Sequence, residues 1–359
     1  MRSPARAAVG LGFAAILAGA ACSPPPASPQ STEPQQTRIL RIATDDEPGR
    51  PAADQIEEFA RQVKELSGGT LLIEPLWKAV GEDKDDWDQA VARGVMAGDF
   101  DMGLVPARAW DTEGVDSFAA LHAPFLVTNN ALLAKVIEPG VADEMLSGLD
   151  KLGVAGLALF PESTRTLFAF GSPVLKPADL AGKTIRAPRS DTTYALLTAL
   201  GASPDDLAGE VFPDGVAAGQ VVAAESSFAA ASNLPAPTTA AANLVLYPKV
   251  SSLIANSKVF QNLSEPQRQQ LTEAATATRT WAVRAMKSVA DDAAEFCRNG
   301  GTVIMATEAE VTAFKDAGAA VYSKLEADPA TKARLTKIRD LAAATASVPS
   351  EIQTCSPGQ

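Results

Sequence analysis

Apolar residues recur along the chain with two alternating periods, and the switches between them mark its elements. Arg38 to Ala43, RILRIA, alternates and predicts a first strand. Pro51 to Leu66 follows with Ile56, Phe59, Val63 and Leu66 on one face of a helix, stopped by Ser67-Gly68-Gly69. Thr70 to Glu74 predicts a second strand. The stretch through Trp87, Ala90, Val91 and Val95 predicts a helix ending at Gly98, and Asp99 to Val105 a third strand. Strand, helix, strand, helix, strand is the alternation of an open, mainly parallel sheet.

The pattern then repeats. Leu132, Leu133 and Val136 share a helical face, and Gly153 to Phe160 is an apolar strand. Pro161 to Arg165 reads as the crossover out of a first domain, with Phe168-Ala169-Phe170 starting a second. Glu210-Val211-Phe212 and Val221 to Glu225 predict further strand and turn. Asn243 to Tyr247 and Ser252 to Ala255 predict extended segments returning to the first domain. Ser264 caps a helix with proline in its first turn. No later proline interrupts Glu265 to Asn299, so one long helix is expected up to Gly300-Gly301. Thr302 to Met305 predicts a strand, and Glu308 to Glu326 and Thr331 to Ala344 two helices. A chain of 359 residues is long enough for two domains.

The N-terminus changes the picture of where the chain works. Arg2 and Arg6, then the small apolar run Ala7 to Ala21, read as an export signal, shorter than the roughly 20 residues of a membrane span. Leu17-Ala18-Gly19-Ala20-Ala21-Cys22 resembles a bacterial lipoprotein cleavage site, which implies lipidation of Cys22; it departs from the usual pattern at Gly19, where leucine is common. The alternative is simple secretory cleavage nearby. Residues 22–37 then form the anchor and a proline-rich polar tether unable to build a core. Apolar residues at 46% and charged ones at 21% describe a globular protein. Its net charge of −12 becomes more negative once two leader arginines are removed, which argues against nucleic acid and anionic lipid surfaces as partners. In an exported protein, Cys297 and Cys355 pair as one disulfide fastening the tail to a helix, or else stand as two unpaired thiols.

The most specific stretch is Lys176 to Pro204, KPADLAGKTIRAPRSDTTYALLTALGASP. Pro177 and Asp179 open a turn, Thr184 to Ala187 is a short strand, and a helix runs from Ser190 to Gly201. Arg186 ends that strand beside a helix start, and a guanidinium there offers a planar fork that matches a carboxylate. The alternative is an arginine that pairs with Asp179 and pins the turn.

This stretch resembles the solute-binding proteins of TRAP (tripartite ATP-independent periplasmic) transporters, and so does the alanine-proline-phenylalanine step at Ala123-Pro124-Phe125. The likeness covers most of residues 38–345. It implies an α/β, two-lobed periplasmic-binding-protein-like fold, with open mixed sheets flanked by helices and a long helix spanning both lobes. Lobe I is expected at 38–162 plus 252–291, lobe II at 163–251 plus 292–350, and a tail at 351–359. Arg186 becomes the carboxylate clamp and Arg165 its neighbour on the crossover; a hinge salt bridge is the other reading of Arg165. Glu225 and Ser226 occupy the turn where the family carries glutamate and asparagine, so a hydroxyl replaces an amide there. Thr44 and Asp45, after the first strand, and residues near Pro106 face the cleft from the other lobe. Trp110 or Phe170 is a candidate apolar wall, or simply core.

Enzyme readings find little support. His122, the one histidine, sits in an apolar run, and neither a Gly-x-Ser-x-Gly elbow nor a His-Glu-x-x-His metal site is present. Gly182-Lys183-Thr184 mimics a phosphate loop, but Pro177 stands where its first glycine belongs. The acids at 83–86 lack the spacing of a calcium loop. The expectation is an exported capture subunit, without catalysis, metal or cofactor, that delivers a small organic acid to membrane permease subunits. The alternatives are a sensor without a transporter and an envelope enzyme on the same fold.

Overall fold

The computed structural model describes residues 37–81, 85–235, 237–346 and 351–356. The signal segment, Cys22, residues 23–36 of the tether and the start of the acidic run at 83–86 lie outside the described residues. The first five elements are β1 (Arg38–Ala43), α1 (Pro51–Leu66), β2 (Leu71–Leu76), α2 (Trp87–Ala97) and β3 (Met102–Pro106). Ile56, Phe59 and Val63 of α1 are fully buried, each side chain stabilising the fold by about 1.5–3 kcal/mol. Gly98 ends α2 in the left-handed region, where its N–H returns to the carbonyls of Gly94 and Val95.

After the short helices α3 (Asn130–Val136) and α4 (Ala142–Leu146) comes the axis of the molecule, β4 (Val154–Ala169). The strand expected to end at Phe160 continues through 161–165, so that stretch is strand interior. Pro161 does not break it because the register shifts between Pro161 and Ser163, and an irregularity there accommodates a residue without an N–H. Then follow β5 (Thr184–Arg186), α5 (Asp191–Ala199), β6 (Ser203–Asp205), α6 (Val211–Ala217), β7 (Val221–Ser226), β8 (Thr239–Ala241) and β9 (Tyr247–Asn256). The strand expected at Glu210-Val211-Phe212 is the start of α6. Pro213 falls in the first turn, where its missing N–H leaves no bond unmade, and Val211 points to solvent.

The rest is helical apart from one strand: α7 (Ser257–Gln261), α8 (Glu265–Ala285), α9 (Val289–Arg298), β10 (Thr302–Ile304), α10 (Glu308–Leu325) and α11 (Pro329–Ala343). The single helix expected from Glu265 to Asn299 is therefore two. Met286 turns extended, and Ser288 caps α9 by accepting the Asp291 N–H, a helix-start signal inside an otherwise uninterrupted pattern. Among the described residues no helix is long and apolar enough to cross a membrane.

The strands run β2-β1-β3-β9-β4-β7-β5-β6, with β8 joined to β4 and β10 to β8. β4 belongs to both halves. Val154–Arg165 pair antiparallel with β9, whereas Thr166–Ala169 pair with β7 and, at Phe168 and Ala169, with β8. The β2-β1-β3 and β6-β5-β7 runs are parallel. Cys355 bridges to Val303 of β10 and is disulfide-bonded to Cys297 of α9, with Cα atoms 6.1 Å apart, so the tail is fastened as its cysteines suggested.

Candidate functional site

Arg186 stands at the end of β5, and the two halves of the sheet meet over it. Its guanidinium carbon lies 5.1 Å from the Trp87 ring, at the start of α2, and 5.4 Å from the Phe212 ring of α6. Phe170 backs Phe212 edge-on at 5.8 Å. Nε donates to the Leu207 carbonyl at 3.2 Å, and among the described residues no carboxylate is within ion-pair reach. Asp179 accepts the Leu175 and Lys176 N–H groups instead, so the turn is pinned without Arg186. Burial pushes the Arg186 pKa down to about 10, and the charge of Arg165 adds to the effect.

The other cations here are paired. Arg165, on β4, forks onto Glu225 of β7: Nη2 donates to Oε2 at 2.7 Å and to the Glu225 carbonyl at 3.1 Å, and Nε donates to Oε1. Glu225 is 0% exposed; burial works to raise its pKa, yet the Arg165 charge and hydrogen bonds hold it below the ordinary value. Arg108, just after β3, donates to Asp88 at 2.6 Å, both buried, while its Nε lacks a partner. Lys249 of β9 lies 2.8 Å from Glu162 and 3.5 Å from Asp46.

Asp45 follows β1, and its pKa is raised to about 7, by burial first and then by the charges of Asp88 and Asp46. Thr44 is buried and its hydroxyl accepts the Asp46 N–H at 3.2 Å. Ser226 is buried at the end of β7, and its hydroxyl has no hydrogen-bond partner among the described residues. His122 is buried edge-on to Tyr247, its pKa driven down to about 3 by desolvation. Trp110 is core, its Nε1 donating to Ser252 at 2.9 Å.

Further contacts hold the halves together beside Arg186. Gln89 Nε2 donates to the Arg189 carbonyl at 2.9 Å. Asp111 accepts the Ser190 hydroxyl at 2.8 Å and the Asp191 and Thr192 N–H groups at 3.0 and 2.9 Å, closing the N-terminus of α5.

The sequence reading missed Trp87 and Phe212 as walls and Arg108 and Lys249 as neighbours. Trp87 reads as one more apolar position of a helix, and Phe212 as strand. Arg108 did leave a signal, a lone charge in the apolar run Leu104 to Trp110.

A partly buried arginine between two rings and without a carboxylate partner among the described residues has the chemistry to hold an anion. The profile of bacterial extracellular solute-binding protein family 7 (DctP) matches residues 42–328, and the chain belongs to this family of TRAP-type solute-binding proteins. The chain is 30% identical over 123 residues to the 2,3-diketo-L-gulonate-binding periplasmic protein of Escherichia coli K12, covering 32% of this chain and 35% of that one. It is 25% identical over 182 residues to the C4-dicarboxylate-binding periplasmic protein of Rhodobacter capsulatus, covering 50% and 52%. The chain thus spans about a third to a half of the length of these curated relatives. A TRAP periplasmic solute-binding protein from Xanthobacter autotrophicus Py2, solved with β-D-galacturonate, has a TM-score of 0.74 at 22% identity, covering 84% of this chain and 99% of that one. The sugar acid binding protein of Advenella mimigardefordensis, solved with galactonate, also scores 0.74, at 19% identity with 86% and 99% covered. These likenesses establish the fold.

Proposed function

We propose that the protein captures a small organic acid with a single carboxylate, of the sugar-acid kind, and delivers it to a TRAP-type membrane importer without turning it over. The observation that carries this is the charge pattern: of Arg108, Arg165, Arg186 and Lys249, only Arg186 lacks a carboxylate partner among the described residues. One open guanidinium matches one carboxylate; a second carboxylate would have to displace an internal partner, leaving that group desolvated. Asp45 and Ser226, with the free Arg108 Nε, supply polar groups for ligand hydroxyls, and Thr44 fixes the backbone beside them. Arg165 and Glu225 form the internal pair behind Arg186. Relatives of this fold solved with galacturonate and galactonate support the ligand class.

In this reading the lobes are residues 38–162 plus 252–291 and 163–251 plus 292–350, pivoting on β4 and β9 near the register shift at Pro161–Ser163. Closing brings Trp87 over Arg186 and excludes water that would screen the ion pair. Cleavage before a lipidated Cys22 would hold the protein at the outer face of the membrane by residues 23–37.

Mass spectrometry of small molecules released from denatured, purified protein identifies the ligand, and calorimetry with D-galacturonate, galactonate and succinate ranks the classes. Binding of a monocarboxylate well ahead of succinate is expected. Preference for succinate would overturn the single-carboxylate assignment.

A further inference from the structure

A cavity of about 510 Å³ opens between the first turn of α1, the Pro161–Glu162 step of β4, the turn at Phe228–Asn233 and the break between α8 and α9. Its size is that of a small-molecule site. Arg186, Arg165, Trp87 and Phe212 take no part in its lining. Glu162 is common to both regions, and its carboxylate is already held by the Ser251 hydroxyl at 2.7 Å and by Lys249.

Two buried side chains on its wall carry oxygens without a hydrogen-bond partner among the described residues. Asp292, in the first turn of α9, is 7% exposed, and its carboxylate makes neither a hydrogen bond nor an ion pair among the described residues. Gln55 of α1 is 3% exposed; its Nε2 donates to the Pro161 carbonyl at 2.6 Å, which fixes the amide and leaves Oε1 as a buried acceptor with nothing to accept. A buried acceptor left empty costs about 1–3 kcal/mol, so Gln55 Oε1 calls for a donor, and the Asp292 carboxylate on the cavity wall is open to take one. The one cationic side chain of the lining, Lys287, is turned to Glu295 at 3.1 Å. Trp281, Phe228 and Phe296 supply aromatic surface.

An acceptor without a donor, a carboxylate without an ion pair and aromatic faces together select a cation with a hydrocarbon body. We propose that this cavity is a second binding site that takes a small organic ammonium ion, its nitrogen on the Asp292 carboxylate, Gln55 Oε1 accepting a further hydrogen, and its apolar part against Trp281 and Phe228. The site is independent of the Arg186 cleft and does not rest on the ligand assigned there.

The test uses benzylamine as probe and benzyl alcohol as its uncharged counterpart, titrated into the mature protein by calorimetry and by ligand-observed NMR. Benzylamine binds and benzyl alcohol does not. Asp292→Asn weakens benzylamine at least about tenfold without lowering the melting temperature, because it removes an unpaired buried charge. Trp281→Ala, which leaves Asp292 in place, weakens it as well, and Arg186→Ala leaves it unchanged. Failure of benzylamine to bind at about 10 mM, a constant affinity in Asp292→Asn, or equal binding of the alcohol overturns the proposal. Loss of benzylamine binding in Arg186→Ala overturns it too, by placing the amine in the other cleft.

Discussion

Replacing Arg186 by alanine separates a binding role from a structural one, because its surroundings are so unlike those of Arg165. Arg186 is held by two ring faces and one hydrogen bond to Leu207, with no internal carboxylate. Truncating it leaves no buried charge uncompensated in the empty protein, and it removes a cation whose pKa is already pushed down to about 10 by desolvation. The ligand-free melting temperature should hold or rise. With ligand present, a carboxylate is left desolvated without its partner, a loss of about 3–5 kcal/mol, or over a hundredfold in Kd. Arg186→Lys should recover little, since an ammonium neither forks onto a carboxylate nor stacks as flatly between Trp87 and Phe212. Arg165→Ala should do the reverse. It orphans Glu225, which has no access to water, and should lower the ligand-free melt by the equivalent of about 3–5 kcal/mol. Calorimetry of each variant with the ligand released from the native protein, beside ligand-free thermal melts, reads both quantities. Near-normal affinity in Arg186→Ala, or a ligand-free melt that collapses while affinity persists, refutes the reasoning.

Other outcomes follow from the same structure. The ligand-free protein should lose stability as pH rises from about 4 to 7, because Asp45 (pKa about 7) and Asp292 (about 6) hold protons in the folded state that the unfolded chain has released; Asp45 alone accounts for at most about 4 kcal/mol, and Asp45→Asn should flatten the upper part of the profile in thermal melts. Reducing the Cys297–Cys355 bond, or Cys355→Ser, opens a loop spanning 58 positions and should cost up to about 4 kcal/mol in denaturant titrations, with ligand affinity nearly unchanged. Asp111→Ala removes the acceptor of three hydrogen bonds at the start of α5, which should weaken ligand binding by about tenfold through the closed arrangement and cost about 1–2 kcal/mol in a melt.

Most of the framework was legible wherever local chemistry and tertiary need agree. α1 matches its apolar stripe and its proline start, and the turn, strand and helix from Pro177 to Gly201 match the punctuation of Gly182, Pro188 and Ser190. The misses lie where a longer-range partner overrides a local signal. Pro161 reads as a stop, yet β9 carries the strand past it through a register shift. Val211 and Phe212 read as strand, yet a proline in the first turn is as compatible with a helix, and Val211 stays in solvent. Of the cleft, Arg186 and the Arg165–Glu225 pair could be named from the chain, but not that they bond to each other, since 60 positions separate them. Which arginine stays open depends on which carboxylate the fold brings to it.

That dependence also explains how Arg186 can be partly buried and still suit an anion. Trp87 belongs to the β2-β1-β3 side of the sheet and Phe212 to the β7-β5-β6 side, so the sandwich around Arg186 exists only while the two sides are together. The Asp111 contact to α5 and the Gln89 contact to Arg189 cross the same boundary. Moving the sides apart would strip one ring from the guanidinium and return water to it, which weakens its hold on an anion as the dielectric rises. In the proposed reading, capture and release need no change in the charge of Arg186. They need only a change in how much of it faces water, and the strand that both sides share, β4, sets that geometry.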